Sequence, residues 1–109
     1  MKVSFTAAAS IEVDEVSRYY AGIDRRLGHR VLDELGELRS LLAQNPRLGN
    51  KVSMGIRRLL LSNFPYAVYY RLDESDETVW IVSVVHQRRR PGGWKDRVQE
   101  EPAIYQLAA

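Results

Sequence analysis

Residues 78–85, TVWIVSVV, are apolar at nearly every position. A strand with one wet face alternates, so this run predicts a strand covered on both faces. Residues 66–72, YAVYYRL, do alternate, and the acidic stretch 73–77 between the two runs supplies a turn. Together they predict a β-hairpin whose second strand is internal to a sheet. That strand delivers His86 and then Arg88, Arg89 and Arg90 to the sheet end. Adjacent guanidiniums repel one another, so a partner accounts for the three arginines better than stability does.

Upstream, residues 2–5 read as a short strand, with Thr6 or Ser10 as the cap of a helix. Ala9, Val13, Val16 and Tyr20 then recur at helical spacing, with Glu12, Asp14, Glu15 and Arg18 placed on the polar side. Gly22 and Asp24 end this helix, and Asp24 caps a second one. There Leu27, Val31, Leu35, Leu38 and Leu42 form one stripe, widened by Leu32 and Leu41. A short connection makes the two helices an antiparallel hairpin. Asn45-Pro46 closes it, because proline pushes the preceding residue out of the helical region. Residues 47–55, with Gly49, Asn50 and Gly55, read as a loop, and residues 56–61 as the next strand. Connections of about four or five residues between the last three strands permit only antiparallel neighbours.

The expected fold is therefore α+β, in the order βααβββ: a small antiparallel sheet with a helical hairpin packed on one face. The opposite face is expected to be bare and basic. The chain has 109 residues, room for one core. Residues 1–98 are taken as the domain and 99–109 as a C-terminal tail. Charge is unevenly spread: residues 1–46 carry six Lys/Arg against seven Asp/Glu, residues 47–98 ten against five, and residues 99–109 none against two. The sheet half is the basic half, which favours an acidic partner.

Several function classes fall away. With no cysteine, disulfide scaffolds, thiol catalysis and Cys-ligated metals are excluded, and two distant histidines offer no ligand spacing, so no metal or cofactor is expected. No run approaches the roughly 18 apolar residues of a membrane span, and the acidic start lacks the apolar region of a signal peptide. A cytoplasmic protein without membrane contact is expected. Among reactive groups, His86 is the one well-placed general acid/base, since His29 lies among Arg25, Arg26 and Arg30 in the second helix. Arg57, Arg58, Arg71 and Arg88 to Arg90 form a basic patch if the strands pair as read, and guanidinium forks suit phosphate or carboxylate. Tyr66, Tyr70 and Trp80 sit where aromatics fill a core, whereas Trp94, after two glycines, is open to a functional contact.

The runs GIRRLLLSNFPYAVYYRL and IVSVVHQRRRPGGW, with Asn45-Pro46 closing the hairpin, resemble the RelE/ParE superfamily of toxins from bacterial type II toxin–antitoxin modules. The resemblance spans the chain to about Arg97 and implies one of two activities. RelE-type members cleave mRNA on the ribosome with an arginine directly after the tyrosine that opens the third strand; here that position is Ala67. If this chain were such an endoribonuclease, His86 would be the base, with Arg57, Arg71 and Arg88 around the phosphate. ParE-type members poison DNA gyrase without that set, and the His-then-arginines ending looks more like them. The A-subunit of DNA gyrase is then the implied target, with Arg88, Arg89, Arg90 and Trp94 as the contact residues. In both types a cognate antitoxin wraps the toxin, and Val31, Leu35, Leu38, Leu42, Arg58 and Arg71 are the residues expected to meet it.

Overall fold

A computed structural model describes residues 1–88. It has β1 (Lys2–Phe5), α1 (Ala7–Ile23), α2 (Arg25–Gln44), β2 (Asn50–Ser53), β3 (Ile56–Leu60), β4 (Tyr66–Asp73) and β5 (Thr78–His86). Two helices pack on a five-stranded sheet of order β1-β5-β4-β3-β2, the expected α+β layering with two differences. One is an extra strand, β2, within the stretch read as loop. The other is that the sheet is mixed: β1 runs parallel to β5, from Lys2 opposite Thr78 to Phe5 opposite Ile81. The helical hairpin between β1 and the rest is the crossover that a parallel neighbour needs.

Local chemistry sets each helix. Thr6 caps α1 by accepting from the Ala9 N–H at 3.2 Å, and Asp24 caps α2 by accepting from the Arg26 N–H at 2.9 Å. Asp24 alone separates the helices, so they fold back at once. Gly28 permits their close approach, since a Cβ there would lie 2.8 Å from the Ala21 Cβ. Asn45 ends α2, its N–H bonded to the Leu41 carbonyl.

Val31, Leu35, Leu38 and Leu42 face inward against Val3, Val68, Tyr70, Val79, Ile81 and Val84 to make the main core. The sheet's other face is not bare. Ile56, Ala67, Tyr69, Trp80 and Val82 form a second, buried apolar cluster there, so the expectation of an open basic face is corrected. Strand alternation alone does not produce this split. A bulge lies between Tyr69, opposite Ser83, and Tyr70, opposite Ile81, and it shifts the parity of β5. Val82 therefore belongs to the second face while Val84 belongs to the helix side.

Where β1 ends at Phe5, β5 continues without it. The Val84 N–H on this stretch is bonded by the Glu12 carboxylate of α1 at 3.0 Å, and Glu12 is only 6% exposed. Glu12 thus faces the core, contrary to its expected place on the polar side. It lies between Ala9 and Val16 on the buried face. At the far end of the core, the Glu34 carboxylate of α2 accepts from the N–H groups of Ser62 and Asn63, tying the β3–β4 turn to the helix.

Candidate functional site

The residues expected to act together are distributed over three places. His86 pairs with Tyr66 across β4 and β5, and both point to the helix side, their rings edge to face at 5.3 Å. Tyr20 extends the ring series, 6.2 Å from Tyr66 and 4.9 Å from Phe64. Beside it a cavity of about 400 Å³ opens between α1 and the sheet end, lined by Glu12, Glu15, Tyr19, Tyr66, His86 and Arg88. The His86 Nδ1 accepts from the Arg88 backbone N–H at 3.0 Å, so a neutral ring carries its proton on Nε2. Arg88 is the one described arginine at this end.

Arg57 stands elsewhere. It lies opposite Tyr70, on the helix side, four residues along β4 from Tyr66. At ~3.3 Å per residue the separation along the strand is about 13 Å. Its Nη1 is committed to the carbonyls of Gly49 at 2.7 Å and Arg47 at 3.1 Å, and so staples the α2–β2 loop. Tyr70 completes that staple: its buried hydroxyl accepts from the Gly49 N–H at 2.7 Å. Burial pushes the Tyr70 phenol above its ordinary pKa, while the Gly49 bond and the Arg57 charge pull the other way.

Arg58 and Arg71 occupy the second face, Arg58 opposite Tyr69 and Arg71 opposite Trp80. Within that face Trp80 Nε1 and Ser83 Oγ are buried without a hydrogen-bond partner among the described residues. The set His86, Arg57, Arg71 and Arg88 is therefore not brought around one point. Arg89, Arg90 and Trp94 lie outside the described residues, as does the 99–109 tail.

The stripe expected to meet a partner helix, Val31, Leu35, Leu38 and Leu42, is between 0 and 7% exposed and is spent on the chain's own core. Open apolar surface lies beside it. Leu41, Leu48 and Leu60, each about half exposed, line a groove between α2 and β3 whose rim carries Glu34 and Glu37. Leu41 was legible only as a widening of the stripe, and Leu48 and Leu60 gave no periodic signal. Among the described residues no three His, Asp or Glu side chains gather as a metal ion needs, and no helix is long and apolar enough to cross a membrane.

Comparison with known proteins gives this geometry a family. Residues 3–91 match the family described as the ParE toxin of the type II toxin–antitoxin system parDE. Among solved structures, the chain is similar to the chromosomal ParDE system of P. aeruginosa, with a TM-score of 0.68 at 18% identity over 79% of this chain and 95% of that one. It is also similar to the isolated E. coli RelE toxin, with a TM-score of 0.61 at 19% identity over 90% of this chain and 95% of that one. No curated protein sequence matches it. Identities this low establish a shared fold, whereas the family match covers most of the length and establishes membership. The chain belongs to the ParE toxin family of type II toxin–antitoxin systems.

Proposed function

We propose that this toxin inhibits DNA gyrase in the cytoplasm by direct binding, without chemistry of its own, and is held inactive by a cognate antitoxin. The observation that carries the choice is Ala67. In the ribonuclease branch that position, directly after the strand-opening tyrosine, holds the arginine that contacts the scissile phosphate. Here it is a small apolar side chain, 3% exposed, within the second-face cluster. Removing one such electrostatic stabiliser costs on the order of 10²–10³ in rate. The separation of Arg57 and Arg71 from His86 also supports the choice. Arg88, exposed beside His86, is retained as a gyrase contact, and Arg89, Arg90 and Trp94 belong to the same proposed contact.

For the antitoxin, the surface changes from the one the sequence suggested. An amphipathic helix of the antitoxin lays its apolar face on Leu41, Leu48 and Leu60, where a basic side chain meets Glu37 at the rim. Arg71 remains the proposed contact for an acidic antitoxin segment on the second face. Arg58, more exposed, extends from the β2–β3 hairpin.

The test is a supercoiling reaction with purified gyrase and relaxed plasmid. Added toxin is expected to stop supercoiling and accumulate cleaved plasmid, and antitoxin added first is expected to prevent both. Unimpaired supercoiling at a large excess of toxin contradicts the proposal.

A further inference from the structure

We infer that the second face of the sheet is a docking site for the chain's own C-terminal segment, residues 94–107, folded back from the end of β5. Ile56, Ala67, Tyr69, Trp80 and Val82 on that face are between 2 and 7% exposed. A sheet face open to water leaves its side chains in solvent and is polar for that reason, whereas this one is apolar and closed. Among the described residues nothing lies across it. Both helices, the α2–β2 loop at Gly49 and the β3–β4 turn at Phe64 pack on the other side. Flanking strands alone do not hide a tyrosine and a tryptophan, each with about 150–250 Å² to bury. A cover is therefore required.

The closure is present in a single chain, so neither a second copy nor an antitoxin is that cover. Residues 89–109 are the remaining chain. Length, sequence and charge fit them to the task. Soon after β5 ends at His86 come Pro91, Gly92 and Gly93, residue types that reverse a chain. From Val85 back to Trp80 the face runs about 17 Å, at ~3.3 Å per residue. Residues 94–107 reach about 20 Å even when coiled as a helix. Val98, Ile104, Tyr105 and Leu107 supply apolar side chains for the cluster. Arg58 and Arg71 make the face cationic, and residues 99–109 carry Glu100 and Glu101 and no cation. The 99–109 stretch is thereby part of the fold rather than an appendage. Arg71 stands beside glutamates of its own chain before any acidic partner arrives. None of this depends on gyrase being the target.

The experiment reads Trp80 in the full-length chain. Trp94→Phe leaves Trp80 as the only tryptophan, and its emission is expected to be blue-shifted and weakly quenched by acrylamide. The chain has no cysteine, so a nitroxide can be placed at one chosen site. In the Trp94→Phe background, a nitroxide on Ala103→Cys is expected to quench Trp80 at least twofold. One on Ser10→Cys, on α1 across the sheet, is expected to leave it unchanged. Ile104→Asp/Leu107→Asp puts charge into the cover without altering a described residue. It is expected to raise acrylamide quenching at least threefold and shift emission to the red, with the helical circular dichroism retained. Leu41→Asp/Leu60→Asp, the same change in the groove beside α2, is expected to leave Trp80 shielded. Trp80 open to acrylamide in the parent, equal quenching by the two nitroxides, or shielding unchanged by Ile104→Asp/Leu107→Asp would each overturn the inference.

Discussion

The Tyr70 hydroxyl and the Gly49 N–H lie 2.7 Å apart in the interior, joining the middle strand of the sheet to the loop that leads from α2 into β2. There is no room at Gly49 for a side chain, since a Cβ would lie 2.8 Å from the Arg58 carbonyl and 2.9 Å from the tyrosine ring. Tyr70→Phe leaves the Gly49 N–H buried without an acceptor, which costs about 1–3 kcal/mol. Urea unfolding is expected to show that loss. Because burial raises the phenol's pKa in the folded chain, its contribution is complete below pH 10 and is lost as pH rises through the folded value. The native protein is therefore expected to lose stability on the alkaline side more steeply than Tyr70→Phe.

Glu12 should behave as a core residue despite its charge. Glu12→Ala removes the acceptor of the buried Val84 N–H, and a loss of about 1–3 kcal/mol is expected, measured by thermal or chemical unfolding. Its neighbour Glu15, which is exposed, is expected to tolerate alanine within about 0.5 kcal/mol.

The two sets of leucines on and beside α2 separate by assay. Leu35→Ala empties part of the core and is expected to cost about 2–5 kcal/mol. Leu41→Lys/Leu60→Lys acts on exposed groove residues, so its unfolding midpoint is expected to hold while antitoxin affinity falls more than tenfold. Calorimetric titration with the antitoxin checks the second outcome.

Ser83 offers the opposite sign. Its hydroxyl is fully buried without a hydrogen-bond partner among the described residues, a cost that Ser83→Ala removes. The variant is expected to be equal to the parent or up to about 1 kcal/mol more stable by denaturant unfolding.

How much of this was legible depended on whether the pattern was local. The helix limits followed from Thr6, Asp24 and Asn45, each acting within a few residues of itself. The 78–85 run was correctly read as internal, and it lies between β1 and β4. β2 escaped because Asn50–Ser53 has a single apolar residue; pairing with β3 makes it a strand, together with the staple from Arg57 and Tyr70. Strand direction was equally hidden, since alternation reads the same in a parallel pair. The site suffered most from the bulge at Tyr69 and Tyr70. Simple alternation from Trp80 puts His86 on the second face, whereas the extra residue turns it to the helix side, away from Arg58 and Arg71. The leucine stripe was recognised as apolar, but periodicity does not tell whether such a stripe meets the chain's own sheet or another protein.

One divided preparation of toxin tests the choice of target most directly. One half is incubated with gyrase, ATP and relaxed plasmid, the other with ribosomes stalled on a message of defined sequence. The expected result is trapped, cleaved plasmid in the first and intact message in the second. Message cut at the A site, dependent on His86 and with gyrase unaffected, contradicts the account.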